Sequence, residues 1–307
     1  MGTNSTRLLV ADVDDGRIQA VHRESHVTGL GRGVETSGNL SSDAVDGVLE
    51  VVGTYLETAE RLNASATTAF ATSAVRDAAN GDAFLAELRE QHSLSARTID
   101  GLEEARLTYR GATSDLPPNG ETLVVDIGGG STELIIGSGP EPGFHTSMQV
   151  GVVRHSERHV HADPPKTEEL EALSSDIGST LDAELAAHPG LRADRAIAVA
   201  GTPATLAAIE LGLERFDPAV VEGHDLSLES VQQSCSRLAS LPLEERREVV
   251  GVHPDRAPTI VAGVVILIKA MRAFGLSHVE VSERDILYGA ALELAETSGN
   301  GNGRPSN

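Results

Sequence analysis

The chain reads as an α/β protein in which one sheet-and-helix layer has been built twice. Three observations predict this. Apolar runs of strand length alternate with longer stretches of helical spacing, which implies strands covered by helices and a mostly parallel sheet. The segment Leu116-Pro117-Pro118-Asn119-Gly120 breaks that alternation. After the break the chain repeats its own opening, a hairpin with a polar or glycine-rich turn followed by helix, strand and helix. A length of 307 residues suits about two domains. The expected boundaries are 1–118 and 119–298, and the Gly/Asn/Pro-rich residues 299–307 are expected to be a disordered tail.

In the first half, Leu8-Leu9-Val10 and Ile18-Gln19-Ala20-Val21 flank Asp14-Asp15-Gly16, a turn signal between two strands. Apolar residues at Val45, Val48, Leu49, Val52, Leu56, Ala59 and Leu62 predict a helix over 42–62 with one buried stripe. Residues 67–71 read as a buried strand, 82–91 as a helix, 97–99 as a strand and 102–110 as a helix. In the second half, 123–136 reads as a hairpin, 168–187 as a helix, 196–200 as a strand and 203–211 as a helix. Thr202 can cap that helix, with Pro203 in its first turn, where a missing N–H costs nothing. Residues 225–241 and 258–274 read as helices, the latter apolar enough to be buried. A strand over 279–282 and a helix over 285–297 complete the pattern.

Composition narrows the partners. Acidic residues outnumber basic ones 46 to 24, a net charge of −22. DNA and anionic membranes reward clustered positive charge and are therefore poor partners. Lysine occurs only at Lys166 and Lys269, so arginine supplies nearly all the positive charge. That skew suits bidentate phosphate contacts, although base composition or salt adaptation explains it as well. The single cysteine, Cys235, permits no internal disulfide and fits a reducing compartment. The uncharged run 257–268 is shorter than the roughly 20 residues a membrane span needs. No signal peptide opens the chain, so a cytoplasmic location is expected.

Chemistry concentrates in the hairpin Leu123-Val124-Val125-Asp126-Ile127-Gly128-Gly129-Gly130-Ser131-Thr132-Glu133-Leu134. An apolar run delivers a carboxylate, and three glycines then expose successive backbone N–H groups, a concavity suited to phosphate oxygens. Asp126 and Glu133 suit Mg²⁺ (or Mn²⁺), since Mg²⁺ binds through one or two carboxylates plus substrate phosphates. The plainer reading is a hairpin that merely turns. Similar alternatives stand elsewhere. Gly2-Thr3-Asn4-Ser5 is a second phosphate turn or an ordinary one. Arg76 lies on a loop at the C-terminal end of a strand, where α/β ligands bind, or forms a surface ion pair. Glu103 and Glu104 open a helix, where acids commonly just complement the dipole. Gly201 and Thr202 start a helix, with free N–H groups for an anion. His155, His159 and His161 beside Arg154 and Arg158 lack the partners of a metal signature. They read as a polar surface segment whose arginines could line a route for a polyanion.

Together these segments resemble the exopolyphosphatase/guanosine pentaphosphate phosphatase family. The resemblance rests on Gly2-Thr3-Asn4-Ser5, on Thr72-Ser73-Ala74-Val75-Arg76-Asp77 and on Gly101-Leu102-Glu103-Glu104-Ala105-Arg106. Val125 to Glu133, Ala200-Gly201-Thr202 and Val281-Ser282-Glu283-Arg284-Asp285-Ile286 extend it in family order. It implies the short two-domain form of an actin/hexokinase/Hsp70-like (ribonuclease H-like) fold with an interdomain active-site cleft. It implies Glu104 as the general base that activates water and Arg76 as a ligand of the attacked phosphate. Asp126 and Glu133 would hold Mg²⁺; Gly2, Thr3, Asn4 and Ser5, Gly128, Gly129, Gly130, Ser131 and Thr132, and Gly201 and Thr202 would cradle phosphate oxygens. The implied partners are inorganic polyphosphate or guanosine pentaphosphate, with a homodimer as the family guess.

Members of that family open on an apolar strand ending in Asp two residues before the first phosphate-turn glycine, whereas Met1 directly precedes Gly2 here. The expectation is that this strand lies upstream of a mis-assigned start codon. Exopolyphosphatase activity leads the functional readings, with guanosine pentaphosphate 5′-phosphohydrolase activity on the same kind of bond beside it. A catalytically weak alarmone or nucleotide sensor is the competing class. A sugar kinase fits less well, because the match includes the Arg76 and Glu104 segments.

Overall fold

The computed structural model describes residues 1–117 and 120–299. The chain divides into two compact units: Met1–Pro117 with the residues from Arg284 on, and Pro118–Glu283. The break falls in the Pro-rich segment, but the last helix does not stay with 119–298 as its position in the chain suggests. Helical periodicity says that a helix buries one face, not which layer it covers.

In the first unit, β1 (Thr6–Asp14) and β2 (Arg17–His26) form an antiparallel hairpin. Asp15 and Gly16 turn it with φ of 48° and 73°, the positive pair that matches the twist of the flanking strands. The short α1 (Val34–Ser37) precedes α2 (Ser42–Arg61), whose N-cap Ser41 accepts from the Ala44 N–H. Next come β3 (Ala69–Ala71), α3 (Ser73–Asp77), α4 (Gly81–His92), β4 (Ala96–Thr98) parallel to β3, and α5 (Gly101–Ala112). The strand expected over 67–71 is thus shorter, and only Ala71 of it is buried. Arg76 lies in the one-turn α3 rather than on an open loop. The unit contains two separate two-stranded sheets, β1–β2 and β3–β4. Met1 lies beside β3: its amine donates to Phe70 O at 2.7 Å and its carbonyl accepts from Thr72 N–H at 3.2 Å. Burial pushes that amine down to about 5. Leu30, Val48, Leu49, Phe84 and Leu88 form the core beneath.

The second unit runs β5 (Thr122–Ile127), β6 (Thr132–Gly137), β7 (Phe144–Met148), α6 (Val152–His159), α7 (Thr167–Ala187), β8 (Arg195–Val199) and α8 (Gly201–Glu210). It continues through α9 (Pro218–Val221), β9 (Asp225–Ser227), α10 (Leu228–Ser240), α11 (Leu243–Arg247), α12 (Ile260–Ala273) and β10 (His278–Ser282). One sheet holds all six strands in the order β7-β6-β5-β8-β10-β9. β5, β8 and β10 run parallel, while β6, β7 and β9 are antiparallel to their neighbours, so the sheet is mixed. Every residue of β5 and β6 is buried, the pattern of strands covered on both faces. Apolar α12 packs into the same core, with Ile260, Val264 and Leu267. The segment expected as a single helix over 225–241 opens as β9 before α10 begins. Residues 154–161, expected at the surface, lie partly in α6, where His155 and Ser156 are buried. Cys235 is half-buried on α10, and burial raises its thiol pKa.

The last helix, α13 (Ile286–Gly299), belongs to the first unit. Asp285 precedes it, buried, accepting the Leu287 N–H at 3.0 Å through Oδ1. Its Oδ2 pairs with Arg7 and Arg23 of the hairpin. Gly289 allows a close approach to α5, because a Cβ there would lie 1.9 Å from Leu107 O. Arg106 and Arg110 of α5 pair with Glu293 and Glu296. Of the expected tail over 299–307, all but Gly299 lies outside the described residues. No helix among the described residues is long and apolar enough to cross a membrane.

Candidate functional site

Two constellations carry the candidate residues, one in each unit. In the second unit, Asp126 near the end of β5 is directly opposite Glu133 on β6. Directly opposed residues share a face of the sheet and bring their side chains together. Both are buried, at 8% and 1% exposure, and like charges so placed repel unless a cation or proton joins them. Ser147, in register with Glu133 on β7, donates to Glu133 Oε1 at 2.7 Å. Thr132 donates its hydroxyl to Val150 O, so this side chain fastens the hairpin.

Between the two acids, Gly128 N–H closes the turn onto Ser131 O at 3.0 Å. The carbonyls of the turn are taken from behind. Val152 N–H donates to Gly128 O at 3.0 Å and Val153 N–H to Gly129 O at 2.9 Å. Arg154 Nε donates to Gly130 O at 2.9 Å. Among the described residues, none accepts from the N–H groups of Gly129, Gly130 or Ser131. Gly130 and Ser131 are themselves buried. Buried donors without acceptors are rare in proteins, and successive ones in a turn form an anion seat.

The turn after β8 lies at the same sheet edge. Val199 pairs in parallel with Asp126, so Ala200-Gly201-Thr202 follows immediately beyond it. Ala200 is the N-cap of α8, with φ 76° and ψ −167°, a region otherwise nearly reserved for glycine. Since α8 begins at Gly201, Thr202 is inside the helix and does not cap it. Arg256 Nη1 donates to Gly201 O at 3.0 Å.

The first unit repeats the device. Gly2 N–H donates to Ser5 O at 3.0 Å, while Gly31 N–H takes Thr3 O at 2.8 Å and Gly29 N–H takes Asn4 O at 2.9 Å. Ala74 N–H donates to Thr3 Oγ1 at 3.2 Å, which ties this turn to α3. Arg76 Nη1 donates to Ile99 O at 2.9 Å and is 3.6 Å from Glu104 Oε2. Glu104, 9% exposed, sits in the first turn of α5, which Asp100 caps by accepting from Glu103 N–H. The neighbouring guanidinium compensates a buried carboxylate that would otherwise be costly. Glu103 instead pairs with Arg97 at the surface. The structure therefore groups Gly2–Ser5, Arg76 and Glu104 within one unit, and Asp126, Gly128–Thr132, Glu133, Gly201 and Thr202 within the other.

Ser147 and Arg256 have no counterpart among the residues singled out in the sequence, and Arg154, expected there only as lining for a polyanion route, instead holds Gly130 O. Only their contacts, made from segments remote in sequence, connect them to the turns.

The chain is similar along nearly its whole length to known proteins. The chain is 33% identical over 308 residues to exopolyphosphatase 2 of Mycobacterium tuberculosis, covering 96% of each protein. An exopolyphosphatase from Cytophaga hutchinsonii superposes with a TM-score of 0.88 at 26% identity, covering 97% of this chain and 96% of the other. The Aquifex aeolicus member of the Ppx/GppA family superposes with a TM-score of 0.81 at 28% identity, covering 97% and 96%. These likenesses fix the fold as actin-like, and the sequence profile of the Ppx/GppA phosphatase family spans residues 9–296. Glycine turns with unclaimed donors, opposed acids and this breadth of similarity lead to one assignment: the chain belongs to the Ppx/GppA phosphatases, hydrolases of phosphoanhydride bonds.

Proposed function

We propose that the chain is an exopolyphosphatase, releasing orthophosphate from the end of inorganic polyphosphate with Mg²⁺, or Mn²⁺ in its place. The observation that carries this reading is the β5–β6 turn, where three N–H groups without acceptors lie between two opposed, buried carboxylates. One hairpin thus offers donors for phosphate oxygens and acids for a cation. Asp126 and Glu133 fit a hard ion, since two carboxylates leave the rest of its shell to water and to the substrate phosphates. When bound, the ion would neutralise charge on the phosphate oxygens as the anhydride bond breaks.

Glu104 is the proposed base. It takes a proton from water as the water oxygen bonds to the terminal phosphorus and the bridging P–O bond breaks toward the shortened chain. Arg76 neutralises the transferring phosphoryl group, and the glycine turns hold the oxygens in line. The exopolyphosphatase names of the relatives favour polyphosphate; guanosine pentaphosphate presents the same terminal anhydride. We place the activity in the cytoplasm, consistent with a single cysteine.

Mg²⁺-dependent orthophosphate release should be measured from tripolyphosphate, long-chain polyphosphate and guanosine pentaphosphate. Fastest release from polyphosphate supports the reading. Preference for guanosine pentaphosphate would reassign the substrate, and binding without release would make the protein a sensor. Glu104→Gln should abolish release, by roughly a hundredfold or more, while tripolyphosphate still binds. Near-normal turnover in that variant would remove Glu104 from its role.

A further inference from the structure

The three peptide groups of the β5–β6 turn are not held alike. In a trans peptide the carbonyl and the following N–H point in opposite directions. Fixing the carbonyl therefore aims the next donor. Val152 N–H holds Gly128 O and so aims the Gly129 amide. Val153 N–H, joined by Arg154 N–H at 3.3 Å, holds Gly129 O and so aims the Gly130 amide. Both clamps are backbone. Gly130 O, which aims the Ser131 amide, is held by a side chain, Arg154 Nε at 2.9 Å. Arg154 is itself steadied by Gln149, whose Oε1 accepts from Nη2 at 2.8 Å. Gly151 lets this segment lie against the turn, because a Cβ there would be 2.4 Å from Gly129 O and Gly130 C.

We propose that Arg154 is a positioning residue for the phosphate turn, setting the direction of the Ser131 amide through its bond to Gly130 O. The inference rests on the phosphoanhydride reading of the turn and gives Arg154 a role on the turn itself in place of lining a route for a polyanion. Arg154 acts here through geometry: its Nε and Nη2, fixed in one planar guanidinium, satisfy two acceptors. Lysine keeps the charge but has a single terminal ammonium and cannot reproduce the fork. Aiming a donor affects every phosphate chain equally, because it acts on the turn and not along the chain.

The test measures kcat and KM with Mg²⁺ for tripolyphosphate and long-chain polyphosphate, alongside melting temperature. The variants are Arg154→Lys, Arg154→Gln and Gly151→Ala. Arg154→Lys and Arg154→Gln are expected to lose roughly tenfold or more in kcat/KM, to similar extents and independently of chain length, since small misplacements of a binding group are costly. Melting temperatures should stay near that of the unaltered chain. Gly151→Ala keeps the arginine but presses a methyl on the turn, and should lose activity in the same way. If Arg154→Gln fails to fold, this variant still reads the turn. Rescue by lysine, a loss that grows with chain length, or full activity in both arginine variants would overturn the inference. If the unaltered chain neither binds nor hydrolyses tripolyphosphate, the functional reading falls and this inference with it. Full activity in the unaltered chain and in both arginine variants removes the inference alone.

Discussion

Ala200 holds a backbone conformation that an L-residue adopts at a cost of about 1–3 kcal/mol. Glycine would relieve that strain while losing some chain entropy on folding. Ala200→Gly should therefore stabilise the protein by roughly 1 kcal/mol, seen as a higher urea midpoint at unchanged slope. A lower midpoint would mean that the methyl group packs better than the strain costs. Ser147 makes the opposite case. Removing its hydroxyl takes a donor from buried Glu133, and Ser147→Ala should destabilise by about 1 kcal/mol; an unaltered urea midpoint would show that this bond adds nothing. Asp126, Glu133 and the glycines were legible in the sequence because one contiguous hairpin holds them in order. Ser147 and Arg256 were not, since each reaches its partner from another segment and carries no local pattern, and Arg154 was legible only as a surface arginine, not as a partner of Gly130 O. Thr202 misled for a related reason: α8 starts one residue before it, at Gly201, and its N-cap is Ala200, a residue type that gives no sign of a turn.

At the scale of elements, α6 joins the turn to a buried imidazole. Burial pushes His155 down from its ordinary 6.5 to about 4, against the pull of Asp176 at 3.6 Å. Its Nδ1 accepts from the Gly151 N–H at 3.3 Å, which requires that nitrogen to be unprotonated. The unfolded chain takes up this proton at higher pH than the folded one. The contribution of the neutral ring is thus complete above pH 6.5 and is lost as pH falls through about 4. Melting temperature should fall between pH 7 and 4 more steeply in the unaltered chain than in His155→Leu; parallel curves would dismiss the ring as the cause. Asp176, held below the usual carboxylate range by hydrogen bonds from His159 and then Arg158, adds its own loss only at lower pH. The long periodic helices were readable from apolar spacing. β7 was not, because Phe144–Met148 is a half-buried strand of mixed polarity, and β9 spans only three residues, Asp225–Ser227. Strands that short or that polar carry no periodic signature.

At the scale of the whole molecule, the repeated opening made the two-part organisation legible, but the destination of α13 was not. Its attachment depends on Asp285 meeting Arg7 and Arg23, and on Gly289 lying against α5. None of these contacts is local. A chain ending at Glu283 should lose the cooperative melting of the first unit while the second retains its own transition, as calorimetry would reveal. A single undiminished transition would show that α13 contributes little. The division of strands has a further consequence. Among the described residues, all four strands of the first unit are edges of two-stranded sheets, whereas the second unit has two edges on six strands. Two-stranded sheets are marginal alone and rely on their helices for order. Amide deuterium uptake should therefore run faster through β1–β4 than through β5 and β8, and the first unit should be the half of the protein that opens first.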